Sequence, residues 1–150
     1  MSGLTQIAIF AENKPGRLEK ITGILAEAEI NILAINIVGT GDFGVIRIMV
    51  DKYDDALRLL KESGFMVSPS EVLAIAMEDR PGGLHDIVKV LTRHGINVEN
   101  AYVFIESSRT RSYLLVEVKD VKNAETLLQQ EGISFYKKDT VDKNPQEGVL

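Results

Sequence analysis

The 150-residue sequence predicts an α+β protein made of two tandem copies of a β-α-β-β-α-β unit. Three observations carry this. The phrase ENKPGRL (12–18) returns as EDRPGGL (78–84), 66 positions later. Seven of the 25 positions between Asn13–Ile37 and Asp79–Val103 are then identical, among them Pro15/Pro81, Gly16/Gly82, Leu18/Leu84, Ile21/Ile87, Leu25/Leu91 and Asn31/Asn97. Further on the spacing becomes 68, pairing Val50 with Val118, Ala56 with Ala124, Leu60 with Leu128 and Gly64 with Gly132. A two-residue insertion falls where SSRTR stands against GTGDF, and insertions settle in exposed turns. Repeats at a fixed spacing are read before anything else, since they dictate the architecture.

Each copy reads alike. LTQIAIF (4–10) and VLAIAM (72–77) are short apolar runs of strand character. The Pro-Gly turn follows, and proline near a helix start has the right fixed φ and no N–H to leave unpaired. Leu18, Ile21, Ile24, Leu25 and Ala28 then recur at helical spacing, as do Leu84, Ile87, Val88 and Leu91. Gly95, after a cation in LTRH, is a helix stop. NILAINIV and NVENAYVFI read as strands, GTGDFG and ESSRTRS as hairpin turns, and VIRIMV (45–50) and YLLVEV (113–118) as strands again. KYDDALRLLKESG and DVKNAETLLQQEG are amphipathic helices ending at Gly64 and Gly132, and FMV and ISFYK close the units as short strands. This is the ferredoxin-like order, an antiparallel sheet with two helices on one face. The units are assigned to 1–69 and 70–138, with SPS (68–70) as their junction and 139–150 as a polar tail. Units this small are expected to pair side by side, in an eight-stranded sheet.

Composition excludes several functions. Seventeen basic and twenty-two acidic side chains leave a net charge of −5, with no basic stripe to neutralise phosphates. The absence of cysteine removes thiol catalysis and cysteine-ligated metals and fits a reducing, cytoplasmic setting. No run approaches the roughly 20 apolar residues of a membrane span, and MSGLTQIAIF does not open like a secretory signal. No nucleic-acid or membrane partner is expected. Two histidines, His85 and His94, have no metal-motif spacing and are read as exposed helical positions. GTGDFG lacks the helix and lysine of a phosphate loop. No cofactor, metal or catalytic residue is assigned.

The N-x-P-G-x-L turn, the apolar helix and the G-I-N-I-like text after it resemble the ACT domain family. NKPGRL with AEINIL carries the likeness in the first copy, DRPGGL with HGINVE in the second, and together the copies cover residues 4–138. The resemblance implies small regulatory modules without catalysis, attached to or acting on metabolic enzymes. It also implies a free amino acid bound where two units meet, near the Pro-Gly turn, and a homodimer of the tandem chain.

The candidate ligand-binding residues are Asn13, Pro15, Gly16, Leu18 and Asn31 in the first copy, and Asp79, Pro81, Gly82, Gly83, Leu84 and Asn97 in the second. A helix start offers unpaired N–H groups and a positive dipole end to a carboxylate. Glycine lets a ligand approach the backbone, and asparagine supplies donor and acceptor together. Each residue also has a structural reading. Asn13 suits turn stabilisation, and Asn31 and Asn97 suit helix C-termini. The copies differ at Asn13/Asp79 and Arg17/Gly83, which makes the second turn the more open in this reading. Other readings are a ligand-independent assembly module, an RNA-binding sheet that lacks its stacking aromatics, and an acylphosphatase-like enzyme resting on Arg17 and Arg80.

Overall fold

The structure, a computed structural model, describes residues 4–105 and 111–136. The chain divides into two units. One is Thr5–Glu71, and the other, among the described residues, is Val72–Tyr136 with Leu4.

In the first unit β1 (Leu4–Glu12) leads through the Pro-Gly turn to α1 (Arg17–Glu27), β2 (Ile32–Thr40), β3 (Phe43–Val50) and α2 (Tyr53–Glu62). The chain then enters β4 (Met66–Met77), whose opening half belongs to this unit. The strands lie in the order β2-β3-β1, each neighbour antiparallel, with Ile7 opposite Ile48 and Ile37 opposite Ile46. Alternation sends Ile7, Ile9, Ile46, Ile48 and Val50 to one face, where Ile21 and Leu25 of α1 and Ala56 and Leu60 of α2 close over them. Ile21/Leu25 and Ala56/Leu60 are i,i+4 pairs, the spacing that brings two side chains to one helix face. Behind this core Gln6, fully buried, donates to Ser70 Oγ at 3.3 Å, tying β1 to the opening half of β4.

The second unit repeats the plan. The remainder of β4 is followed by α3 (Gly83–Arg93), β5 (Asn100–Ile105), β6 (Ser112–Glu117) and α4 (Val121–Gln130), with strand order β4-β6-β5. Leu73, Ile75, Leu114 and Val116 meet Ile87, Leu91, Ala124 and Leu128 in its core. The last strand shrinks to one bridge, Ile75 with Phe135, flanked by backbone bonds from Ala76 to Ser134 and from Tyr136 to Ala74.

Three details depart from the sequence reading. SPS (68–70), expected as the junction, runs inside β4, and the units divide after Glu71. Proline is tolerated in a strand wherever its position demands no N–H, so Pro69 does not interrupt the strand. The strand expected from Asn97 begins three residues later, at Asn100. His94 is not an exposed helical residue. It is half-buried at the end of α3, with Nε2 2.9 Å from Glu131 Oε1. The tail 139–150 and most of the inserted loop, 106–110, lie outside the described residues.

Leu25 and Leu91 are equivalent in the repeat and sealed from solvent, at 0% and 1% exposure. Leu25→Ala and Leu91→Ala are each expected to destabilise the protein by about 2–5 kcal/mol, measured by denaturant unfolding.

Candidate ligand-binding site

The two Pro-Gly corners are built on the same backbone device. Gly16 (φ 90°) and Gly82 (φ 86°) stand in left-handed conformation immediately before α1 and α3, where a Cβ would be strained. Neither helix has a side chain closing its first N–H groups. By contrast, α4 is closed by Asp120, which accepts from Asn123 N–H at 3.1 Å. α2 also lacks a capping side chain and opens on two carboxylates, Asp54 and Asp55, where α1 and α3 carry one each, Glu19 and Asp86.

The corners are braced differently. In the first, Asn13 donates from its backbone N–H to the Asp42 carbonyl (2.8 Å) and from Nδ2 to the Gly41 carbonyl (3.1 Å). It thereby pins the turn to the β2–β3 hairpin, with its amide lying over Gly39, where a Cβ would come within 2.9 Å of Nδ2. The amide donor of Asn13 is thus used structurally, and Oδ1 is the atom left to accept. Lys14 (2.6 Å) and Arg17 (3.4 Å) reach Glu12 Oε2, and Lys14 first, then Arg17, hold that carboxyl below the usual range.

In the second corner Arg80 takes the bracing role. Its guanidinium contacts Glu78 at 2.5 Å and Asp86 at 2.6 Å and donates to the Pro81 carbonyl at 3.2 Å. Glu78, then Asp86, push the guanidinium up. Arg80, then Lys89, hold Asp86 below its ordinary 3.8. Gly83 does not open this turn as its missing side chain suggested. The Glu78 carbonyl oxygen occupies the space a Cβ on Gly83 would need, so Gly83 is a packing requirement and is itself buried.

Pro15, Gly16, Pro81, Gly82 and Asp79 are all exposed at their corners. So are the leucines that follow, Leu18 at 40% and Leu84 at 48%, although Ile21, Leu25, Ile87 and Leu91 on the same helices are buried. Asn31 and Asn97 stand elsewhere. Asn31 precedes β2, its backbone exchanging hydrogen bonds with Asp51 (3.0 and 3.2 Å), while the Asn13 corner sits at the far end of that strand. Nine strand residues separate the two, on the order of 30 Å. Asn97 likewise lies in the connection before β5. Within one unit the corner and its asparagine are therefore not brought together.

Repetition gave no hint of a further feature. A cavity of about 390 Å3 opens in the first unit beside the start of α1 and the end of α2. Phe10, Glu12, Arg17, Lys20, Phe43 and Phe65 supply its distinctive lining. No group of three or more metal-ligating side chains occurs among the described residues, and no described helix is long and apolar enough to cross a membrane.

Two outcomes follow from the second corner. Gly83→Ala must displace the Glu78 backbone and is expected to destabilise by about 1–3 kcal/mol in thermal or denaturant unfolding. Because the folded-state pKa of Asp86 is depressed, its pairing stabilises the fold above the ordinary pKa of 3.8 and is lost as pH falls through the lowered value. Arg80→Ala is expected to raise the Asp86 titration midpoint, followed by carboxyl NMR, and to shift acid unfolding to higher pH.

Comparison with known proteins agrees with this architecture. A protein of solved crystal structure from Bacteroides thetaiotaomicron is 27% identical, with a TM-score of 0.86 over 95% of this chain and 98% of that one. The regulatory subunit of aspartate kinase from Thermus thermophilus, in ligand-free form, shares the fold at 18% identity and a TM-score of 0.60, over 85% of this chain and 90% of that one. The corresponding subunit from Thermus flavus matches at 18% identity and a TM-score of 0.55, over 83% and 88%. No curated protein matches the chain in sequence. The sequence profile described as "ACT domain pair" matches residues 2–145. With two β-α-β-β-α-β units and a Pro-Gly corner in each, the chain belongs to the ACT domain pair family.

Proposed function

We propose that this protein is a non-catalytic regulatory module that binds a free amino acid between ACT units and signals to a metabolic enzyme or regulator. The observation that carries the reading is the pair of helix starts, α1 and α3, preceded by left-handed glycines and left without a side-chain cap. Such a start offers backbone N–H donors and a positive dipole end to a carboxylate. Asn13 Oδ1 and the exposed Asp79 carboxylate lie beside these starts as acceptors for an ammonium. Asn31 and Asn97, at the opposite ends of their units, would touch the same ligand only from another unit. That is the reason for placing the ligand between units, of one chain or of two in a homodimer. Regulatory subunits of aspartate kinase share the fold, which makes an enzyme of amino-acid metabolism a fitting listener.

A second reading, an assembly module indifferent to ligand, draws on the exposed apolar side chains. Leu18, Leu84 and Val88 stand out on the helices, and Ile37 and Val103 at equivalent points of β2 and β5. A protein partner would cover them. Complex formation with the enzyme that changes with an amino acid supports the sensor, and complex formation blind to all of them supports the assembly module.

A thermal-shift screen of the natural amino acids tests the sensor directly. One amino acid, or a small related set, is expected to raise the melting temperature, since ligand at a hundred times its Kd stabilises by about 2.7 kcal/mol. Asn31→Ala or Asn97→Ala should remove the shift while leaving the unliganded melt in place. A flat response across the set overturns the proposal.

A further inference from the structure

The cavity of the first unit differs in chemistry from both corners. Arg17 lines it, and the Nε of that guanidinium is buried without a hydrogen-bond partner. The other contact of Arg17 is a long one, 3.4 Å to the Glu12 oxygen that Lys14 already holds at 2.6 Å. Lys20 places its ammonium 5.5 Å from the centroid of the Phe65 ring, and among the described residues it has no carboxylate within ion-pairing distance. Two cations thus border one cavity, one with a buried donor that has no acceptor and the other without a carboxylate partner among the described residues. A buried donor without an acceptor is unfavourable, and an anion would relieve it.

The remaining walls are aromatic. Phe10, Phe43 and Phe65 line the cavity, and Phe10 and Phe43 are exposed at 45% and 67% without a ligand. About 390 Å3 falls in the size range of small-molecule sites, which are largely apolar with a few fixed polar groups. An ammonium would find no free carboxylate here, because Glu12 is the single carboxylate of the lining and is engaged by Lys14 and Arg17.

We propose that this cavity binds an aromatic monocarboxylate without an ammonium group, its ring among Phe10, Phe43 and Phe65 and its carboxylate on Arg17 and Lys20. The repeat supplies an internal contrast. The equivalent positions of the second unit are Ala76, Gly83, Asp86, Arg111 and Ile133, in place of Phe10, Arg17, Lys20, Phe43 and Phe65. Both cations of the wall are gone there, one replaced by a carboxylate, and so are all three rings. The site belongs to the first unit alone. It differs from the amino-acid reading in ligand and in the side chains that hold it: the two share the start of α1, where Arg17 stands, but neither Asn31, Asn97 nor the second corner takes part.

Calorimetric titration of the full chain with 3-phenylpropionate tests it, with phenethylamine as the control of opposite charge. The expected result is one 3-phenylpropionate per chain and no phenethylamine. Arg17→Gly and Lys20→Asp install the residues of the second unit on an exposed helix start. Each is expected to weaken binding by about tenfold or more, the effect of losing one charge-assisted hydrogen bond. Thermal melting of both variants, checked in parallel, is expected to show them folded. Phe43→Ala, at an exposed site outside the core, is expected to weaken binding as well. Absence of 3-phenylpropionate binding at millimolar concentration overturns the proposal, and so does binding that all three folded variants retain. The asparagine variants of the amino-acid screen should bind 3-phenylpropionate unchanged, so the two proposals fail separately.

Discussion

One backbone constraint organises each unit: a glycine at φ near 90° between the first strand and the first helix. An L-residue with a Cβ is strained there, so the chain can leave the sheet and enter the helix on this path only with glycine. The direction of that exit decides where α1 and α3 lie, and so that Ile21 and Leu25, or Ile87 and Leu91, land on the apolar face of the sheet. The same geometry leaves the helix starts uncapped and turned to solvent. Core and corner are two results of one dihedral angle, which explains why the turn, the helix stripe and the spacing between them recur as a set.

Repetition made most of the fold readable. A pattern seen once could be a chance run of apolar residues, whereas one seen twice at a constant offset fixes which segments are equivalent. The strands, helices and hairpins of both units follow from it, down to Gly95, whose φ of 66° ends α3. The failures have physical causes as well. SPS reads as a break between strands because Pro and Ser interrupt most of them, yet it runs inside β4, where Ser70 accepts a hydrogen bond from the buried Gln6. No local pattern reports a contact across 64 residues. His94 looks solvent-facing by helical position, and only the fold brings it to Glu131.

The candidate site was legible in part. The sequence points to the corners, but it cannot say what fills the space beside a glycine. Gly83 invited the thought of an open approach, while the Glu78 carbonyl in fact takes that space. Asn13 reads as a ligand group and proves to be a brace first, with Nδ2 committed to Gly41. The aromatic cavity stayed hidden for the opposite reason. Phe10, Arg17, Lys20 and Phe65 have no look-alikes in the second copy, so a search for recurrence passes over them, and only tertiary structure gathers them.

Arg80 lends the second corner a property that distances alone do not express. Its guanidinium already holds two carboxylates of its own chain, those of Glu78 and Asp86. An acid tethered a few residues away competes at an effective concentration in the millimolar range, whatever the cell contains. A free metabolite seeking that guanidinium must outbid neighbours that never diffuse off. The second corner is in this sense already partnered from within, so a dilute acid meets competition at the very group that looks most suited to greet it. Ligands that use backbone donors instead escape the competition. Duplication thus lets one copy keep cations facing a cavity while the other commits its cation to bracing a turn.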